Sequence, residues 1–364
     1  MTNSITFVKN CMCIIACISI AMATLVGCNG IGGIPAETTP GYNQAEHEDN
    51  TNNGGIPTEM TPGYYQAEYE GNTNNGAAFL ACGTGGRMDR IFEDGMVESV
   101  SLPVGDKNLT SLLIGDGVTL VGGFSGALAY SFNGEEFHEA SGVGNENITG
   151  LVQFKEKYYA CTNSGNVLSS ADGVSWSVGE RVTNKQILGI AAVKDYIIAI
   201  TEDTDILKSK DGVSWDTQNY NADYYGLAEQ QSFRNIVNLD RIVYILGRSL
   251  ENPDAPAVMY TNDADSWMYV ASMELNNRPP EEFYPLTIYS VRFFGDLILA
   301  ACDRGRVLAF TDCPSCNEIM DVNSVDLRCV AVSGDIVLVA GDDFEFSVLS
   351  AEDLQDLSSN LDRR

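Results

Sequence analysis

From residue 77 onward, apolar residues fall at alternate positions in short runs broken by polar turns, the period of half-buried strands. Six segments share a 14-residue form of this pattern, two apolar strands joined by a tight turn. They run Leu109 to Gly122, Ile148 to Cys161, Ile187 to Ile200, Phe233 to Leu246, Ile288 to Ala301 and Leu327 to Ala340. A seventh copy, Phe79 to Cys82, has only the second strand. Counted from Cys82, equivalent end positions follow at intervals of 40, 39, 39, 46, 55 and 39 residues. A unit this small cannot bury its own apolar face, so each copy must shield its neighbour's.

A second signature follows eleven residues after the end position, at the hairpin joining the third and fourth strands of the unit. It reads Ser170-Ala171-Asp172-Gly173-Val174-Ser175-Trp176, then Ser209-Lys210-Asp211-Gly212-Val213-Ser214-Trp215. Thr261-Asn262-Asp263-Ala264-Asp265-Ser266-Trp267 keeps the frame, and Ser131-Phe132-Asn133-Gly134-Glu135-Glu136-Phe137 is a weaker copy. Glycine tolerates the positive φ of such a turn, aspartate accepts from nearby amides, and a hydroxyl two residues earlier braces it. The tryptophan offers a large face between neighbouring sheets. These segments resemble the Asp-box of sialidase-like, or BNR-repeat, propellers, one residue shorter than the usual form. In that family the boxes are structural and lie away from the active site.

Four strands per copy, seven copies and this resemblance predict an all-β, seven-bladed β-propeller, which protects its sheet edges by closing on itself. Copy one lacks a first strand, and the last copy has only Leu354 to Leu357 as a candidate fourth. A six-bladed or incompletely closed ring is therefore the alternative.

In an up-and-down blade the connections after strands two and four share one face. Three insertions fall there: seven residues between Asp211 and Phe233, six between Leu246 and Asp263, and ten between Asp263 and Ile288. They carry Tyr220, Tyr224, Tyr225, Arg248, Glu251, Arg278, Glu282, Phe283 and Tyr284. Loops on a rigid scaffold concentrate binding residues, and aromatic and arginine side chains are favoured anchors. The expectation is a non-catalytic module binding a protein or glycan through the loops of blades four to six.

The resemblance also supplies an alternative, a glycoside hydrolase of sialidase type. It would need a tyrosine nucleophile, acid/base carboxylates and an arginine cluster for a sugar carboxylate. The family's Arg-Ile-Pro element is absent, since Phe92 follows Arg90-Ile91. Arg248, Arg278, Arg292, Arg304 and Arg306 are present, but spacing alone does not bring them together. A related set of propellers, similar to photosystem assembly factors, uses the scaffold for protein contact. Their basic patch is not evident here, and the formal net charge of −29 makes nucleic acid a poor partner.

Cys82 and Cys161 share one repeat position and Cys302 lies one beyond it, so they read as small core residues. Cys313-Pro314-Ser315-Cys316 falls on a degenerate copy of the box, as a local disulfide or as free thiols. With only His47 and His138 elsewhere, zinc lacks a ligand set, and no cofactor or metal is expected.

The N-terminal part reads differently. After Lys9, an apolar run from Cys11 to Gly27 is too short for a comfortable membrane span and matches an export signal. It ends in Leu25-Val26-Gly27-Cys28, which resembles the lipobox of bacterial lipoproteins. The resemblance implies cleavage before Cys28 and its lipidation, hence an extracytoplasmic protein held at a bacterial membrane. Residues 33 to 54 and 55 to 76 are a tandem duplication, with Gly33-Ile34-Pro35 matching Gly55-Ile56-Pro57 and Thr39-Pro40-Gly41-Tyr42 matching Thr61-Pro62-Gly63-Tyr64. Few aliphatic side chains and no Lys or Arg predict a disordered spacer. The expected plan is a signal over 1–27, a lipidated tether over 28–76 and a monomeric propeller over 77–364.

Overall fold

The computed structural model describes residues 64–73, 76–220, 230–250, 256–270, 274–275, 287–310, 315–321 and 325–354. These form seven sheets, each built from consecutive strands and antiparallel apart from one added strand in blade 6. Blade 1 is Tyr64–Thr73, Gly76–Gly83, Met88–Phe92 and Val97–Ser99. Blades 2 to 5 repeat the plan from first strands Leu109–Ile114, Ile148–Phe154, Ile187–Val193 and Gln231–Leu239. Blade 6 starts at Ile288–Phe294, and blade 7 comprises Leu327–Ser333, Ile336–Gly341 and Phe346–Ser350. The chain is thus a seven-bladed propeller, as the repeat predicts.

Its core consists of seven apolar clusters, one at each interface between neighbouring blades. Leu80, Leu109 and Val121 join blades 1 and 2; Leu120, Ile148 and Ala160 join 2 and 3; Tyr159, Ile187 and Ala199 join 3 and 4. Ile198, Phe233 and Ile245 continue to blade 5, Leu246, Ile288 and Ala300 to blade 6, and Leu299, Leu327 and Val339 to blade 7. The seventh cluster closes the ring, packing Tyr64, Ala67, Phe79 and Ala81 of blade 1 on Cys329, Ala331, Leu338 and Ala340 of blade 7. Alternation explains the arrangement: successive residues of each buried second strand feed the interfaces on opposite faces.

Three sequence expectations need correction. The propeller begins at residue 64, not 77, because Tyr64–Thr73, placed in the spacer by its composition, pairs along the whole of Gly76–Gly83 as the missing first strand. It holds its place with few apolar residues: Tyr64 and Ala67 are buried, and the Tyr64 hydroxyl donates to Asp89 Oδ2 at 2.5 Å. The fourth strand sought at Leu354 to Leu357 is absent among the described residues; 351–354 is a helical turn whose Leu354 packs between blades 6 and 7. Within the longest insertion, Glu274–Leu275 adds a fifth strand to blade 6, parallel to Ser315–Asp321.

The hairpin turns behave as their chemistry requires. Ser170 Oγ donates to Asp172 Oδ1 and accepts the Gly173 N–H, both at 2.9 Å, while Asp172 Oδ1 accepts the Val174 and Ser175 N–H groups at 2.9 Å. Ser209/Asp211, Thr261/Asp263 and Ser131/Asn133 repeat the pattern. Gly173 and Gly212 lie at φ 75° and 74°, and Ala264 takes the same left-handed place at 66°. Trp176 donates from Nε1 to the Gly173 carbonyl at 3.0 Å and packs between blades 2 and 3; Trp215 and Trp267 pack one and two interfaces further on.

The closing interface is held by side-chain packing, with no strand shared between blades 7 and 1 among the described residues. Replacing fully buried Phe79 by alanine is expected to lower the unfolding free energy by about 3–5 kcal/mol. Urea denaturation measures it, and a loss below about 1 kcal/mol would show that this interface lies outside the cooperative core.

Candidate functional site

In every blade the first and second strands slip register at an equivalent place near the start of the first strand, and blade 1 has a further slip between Tyr69 and Gly71. The equivalent slips lie between Tyr64 and Gln66, Leu109 and Ser111, Ile148 and Gly150, Ile187 and Gly189, Phe233 and Asn235, Ile288 and Ser290, and Leu327 and Cys329. The extra residue of each bulge is therefore Tyr65, Thr110, Thr149, Leu188, Arg234, Tyr289 or Arg328. A bulge re-aims its side chain out of the alternation. Seven of them, one at the start of each innermost strand, ring one mouth of the central channel. This is the face that carries the connections after strands two and four, opposite the Asp-containing hairpin turns.

The ring has two unlike halves. Thr110 Oγ1 donates to the Ile148 carbonyl at 2.7 Å and Thr149 Oγ1 to the Ile187 carbonyl at 2.8 Å, tying each blade to the next, and Leu188 is buried. Blades 5, 6, 7 and 1 instead present Arg234, Tyr289, Arg328 and Tyr65, all partly exposed. The Arg328 guanidinium lies 4.3 Å from the centre of the Tyr289 ring and 5.8 Å from that of Tyr65. Below the ring, a channel cavity of 170 Å³ is lined by Ser111, Thr149, Gly189, Asn235 and an Arg292–Glu68 ion pair. Binding pockets run to about 300–1,000 Å³, so the channel interior suits water and the mouth is the candidate surface.

Charges at the mouth are unevenly satisfied. Arg328 donates to both carboxylate oxygens of Asp342 at 2.9 Å and also meets Asp326 at 3.2 Å. Burial opposes its charge, but the Asp342 bonds, with Tyr289 and Asp326, hold it firmly protonated. Arg234 has no carboxylate or hydrogen-bond partner among the described residues. Burial first, then the like charges of Arg248 and Arg328, press its pKa down, against Tyr289. Burial also pushes the Tyr65 and Tyr289 phenols up to about 12. Asp303 accepts the Thr287 N–H at 3.1 Å, leaves Oδ1 unbonded, and is pushed up to about 6 by burial and then by the charge of Asp326.

Of the residues expected to bind, Arg248 ends the second strand of blade 5, beside Arg234. Tyr220 is a core residue instead, buried against Phe233 with ring centres 5.9 Å apart, because its N–H donates to the Thr204 carbonyl at 2.9 Å and holds it against the blade. Tyr224, Tyr225, Glu251, Arg278, Glu282, Phe283 and Tyr284 lie outside the described residues, as do Cys28 and Cys313. Arg292 is in the channel, and Arg306 is buried at the start of a blade 6 strand. Sequence reasoning missed Arg234, Tyr289, Arg328 and Tyr65. The available signal was the second column of the repeat, where Thr or Leu in blades 2 to 4 gives way to Arg and Tyr.

Cys82, Cys161, Cys302 and Cys329 are buried free thiols. Burial pushes Cys161 and Cys329 up to about 12, so neither is a nucleophile at neutral pH. The acidic turn around Asp203 and Asp205 is engaged by Lys185, at 3.4 and 2.9 Å. Among the described residues no group of His, Cys, Asp and Glu is placed to hold a metal ion.

Residues 113–290 match the family model described as the DUF6242 beta propeller domain. A search of the curated proteins finds no match. Solved structures share the fold at low identity. Catalytically inactive virginiamycin B lyase from Staphylococcus aureus with quinupristin superposes with a TM-score of 0.62 at 9% identity, over 81% of this chain and 97% of that one. YCF48 from Cyanidioschyzon merolae gives 0.57 at 13%, over 80% and 97%. YCF48 bound to D1 peptide gives 0.57 at 10%, over 81% and 95%.

Asp303 yields a pH test. Its folded pKa lies above the ordinary aspartate value, so folding takes up a proton between about pH 4 and 6, and the group's cost is complete above pH 6. Asp303→Asn, which can still accept from Thr287, should raise stability at pH 7.5 by on the order of 2 kcal/mol. The gain should vanish near pH 4. Thermal unfolding at both pH values checks this, and a gain of equal size at each would refute the assignment.

Proposed function

We propose that the chain is a lipid-anchored, extracytoplasmic binding module that holds a carboxylate-bearing segment of a partner protein at the mouth between blades 5, 6, 7 and 1. Arg234 carries the reading. It is a partly buried guanidinium without a counter-ion among the described residues, beside two further arginines, in a chain whose net charge is −29. Such a group gains most from an incoming carboxylate, which it can take in a two-pronged bond. Tyr289 and Tyr65 border it with flat faces for the rest of a peptide. That a propeller of the same fold, YCF48, holds a peptide supports a protein segment as the ligand class.

A glycoside hydrolase of sialidase type is the second reading. Arg234, Arg248, Arg328, Tyr289 and Asp303 share this mouth, and a carboxyl with a pKa near 6 suits a general acid. Against it, Tyr289 is pushed up to about 12 and no carboxylate among the described residues is bonded to its hydroxyl to take its proton. Arg328 is already matched by Asp342 and Asp326.

The test sets acidic peptides and charge-neutral counterparts, alongside an acidic-glycan array, against the protein and Arg234→Gln. Acidic peptides should be retained, with affinity falling as salt rises, and the variant should lose about 10- to 100-fold. Retention unchanged in the variant would remove the mouth from the reading. Release of a sugar from an acidic glycan would replace it with the hydrolase. For the anchor, Cys28→Ala should move the protein from the membrane fraction to the soluble fraction; continued sedimentation with membranes would refute lipidation at that residue.

A further inference from the structure

Blades radiate from an axis, so neighbouring sheets part towards their outer strands and large side chains must fill the wedge between them. Two positions do this: the residue just before each hairpin turn, and the tryptophan that ends the turn of the next blade. Between blades 2 and 3 they are Tyr130 and Trp176; Trp176 is buried and its indole N–H is bonded to the Gly173 carbonyl. Blade 3 has Ser169 before its turn, with Trp215 packed into that interface, and blade 5 has Tyr260, packed towards blade 6. Blade 4 places a charged residue there, Lys208. Its ammonium pairs with the exposed Asp265 of the blade 5 turn, so the stem does not fill the wedge as a ring would.

What remains is a cavity of 260 Å³ between blades 4 and 5, on the outer rim beside the hairpin turns and away from the mouth. The register sets Gln218 opposite Ile206 and Asp216 opposite Lys208, so all four residues share the face turned to blade 5. Ala264 and Trp267 close the other side. Unlike Trp176, Trp267 is partly exposed, and its indole N–H has no partner among the described residues. The same holds for the side chains of Asp216 and Gln218.

We propose that this cavity is a second binding site, separate from the mouth, and that it takes one neutral sugar ring. The C–H face of a pyranose covers the flat indole of Trp267, with Ile206 as the apolar floor. The hydroxyls at the ring's edge then meet three kinds of partner: the Asp216 carboxylate, which accepts, the Gln218 amide, which donates and accepts, and the Lys208 ammonium, which keeps two donors beyond its bond to Asp265. The volume lies near the lower end of the range for ligand pockets and suits a single ring. Charge sets the choice of sugar. Asp216, Asp265 and a net charge of −29 oppose an anionic one, the reverse of the arginine-lined mouth.

Tryptophan fluorescence of the full chain, titrated with the methyl glycosides of glucose, galactose and N-acetylglucosamine and with glucuronic acid, tests the proposal. At least one neutral glycoside should shift the emission and saturate with a Kd on the order of 1 mM, as befits a single small ring. Glucuronic acid should bind at least about 10-fold more weakly. Asp216→Ala, at an exposed position where the fold is indifferent to the change, should cut the affinity of that glycoside by about 10-fold or more, and Trp267→Ala should abolish both binding and signal. Arg234→Gln, at the mouth, should leave this titration as it is. No saturation by any neutral glycoside up to about 50 mM would overturn the proposal. So would an affinity unchanged in Asp216→Ala, or one lost in Arg234→Gln, since the sugar would then sit at the mouth.

Discussion

Every blade depends on its neighbour to cover an apolar flank that it cannot cover itself. The second strands show this most plainly, since Leu80, Ala160, Ile198 and Ala300 each feed an interface on one side while the next residue feeds the other. A sheet with both faces in demand has no free side on which to host a ligand. Binding chemistry is therefore pushed to the ends of the strands and to the mouths of the channel.

At one mouth the backbone itself supplies the means. A bulge costs the sheet one ladder step and gives back a side chain freed from the in-and-out alternation. Blades 2 to 4 use that freedom to tie themselves together through Thr110 and Thr149. Blades 5, 6, 7 and 1 place cationic and aromatic groups there instead. The charge is then balanced by position: Arg328 is matched by Asp342 and Asp326, while Arg234 stands against like charges. One repeated backbone irregularity thus serves cohesion on one side of the ring and, on the other, sets out the cationic and aromatic groups on which the proposed function rests.

How much of this is legible in the amino-acid order depends on the length scale of the signal. Blade number and the hairpin turns are written seven and four times over, so periodicity and Asp-Gly chemistry reveal them. The first strand of blade 1 is not legible that way. Its hold rests on Tyr64, Ala67 and two polar bonds, and its composition matches the spacer with which it is duplicated. The mouth escapes for another reason. Arg234, Tyr289 and Arg328 sit where strict alternation assigns an ordinary outward side chain, and only the register slip reveals where they go. Arg248 lies near the mouth because it is close to the end of a strand next to an insertion, whereas the same logic applied to Tyr220 met a chain that folds back into the core.

Among the described residues blade 7 meets blade 1 without an exchanged strand, which bears on how the ring is closed. Each sheet is made of neighbouring residues, so opening this junction breaks no ladder of backbone hydrogen bonds. It exposes the flanks around Phe79 and Leu338 and parts the Arg292–Glu68 ion pair and the contact of Arg328 with Tyr65. The propeller is built like a split washer: among the described residues blades 7 and 1 are joined across the cut by side chains alone, whereas every other pair of neighbouring blades is also joined by the chain running from one to the next.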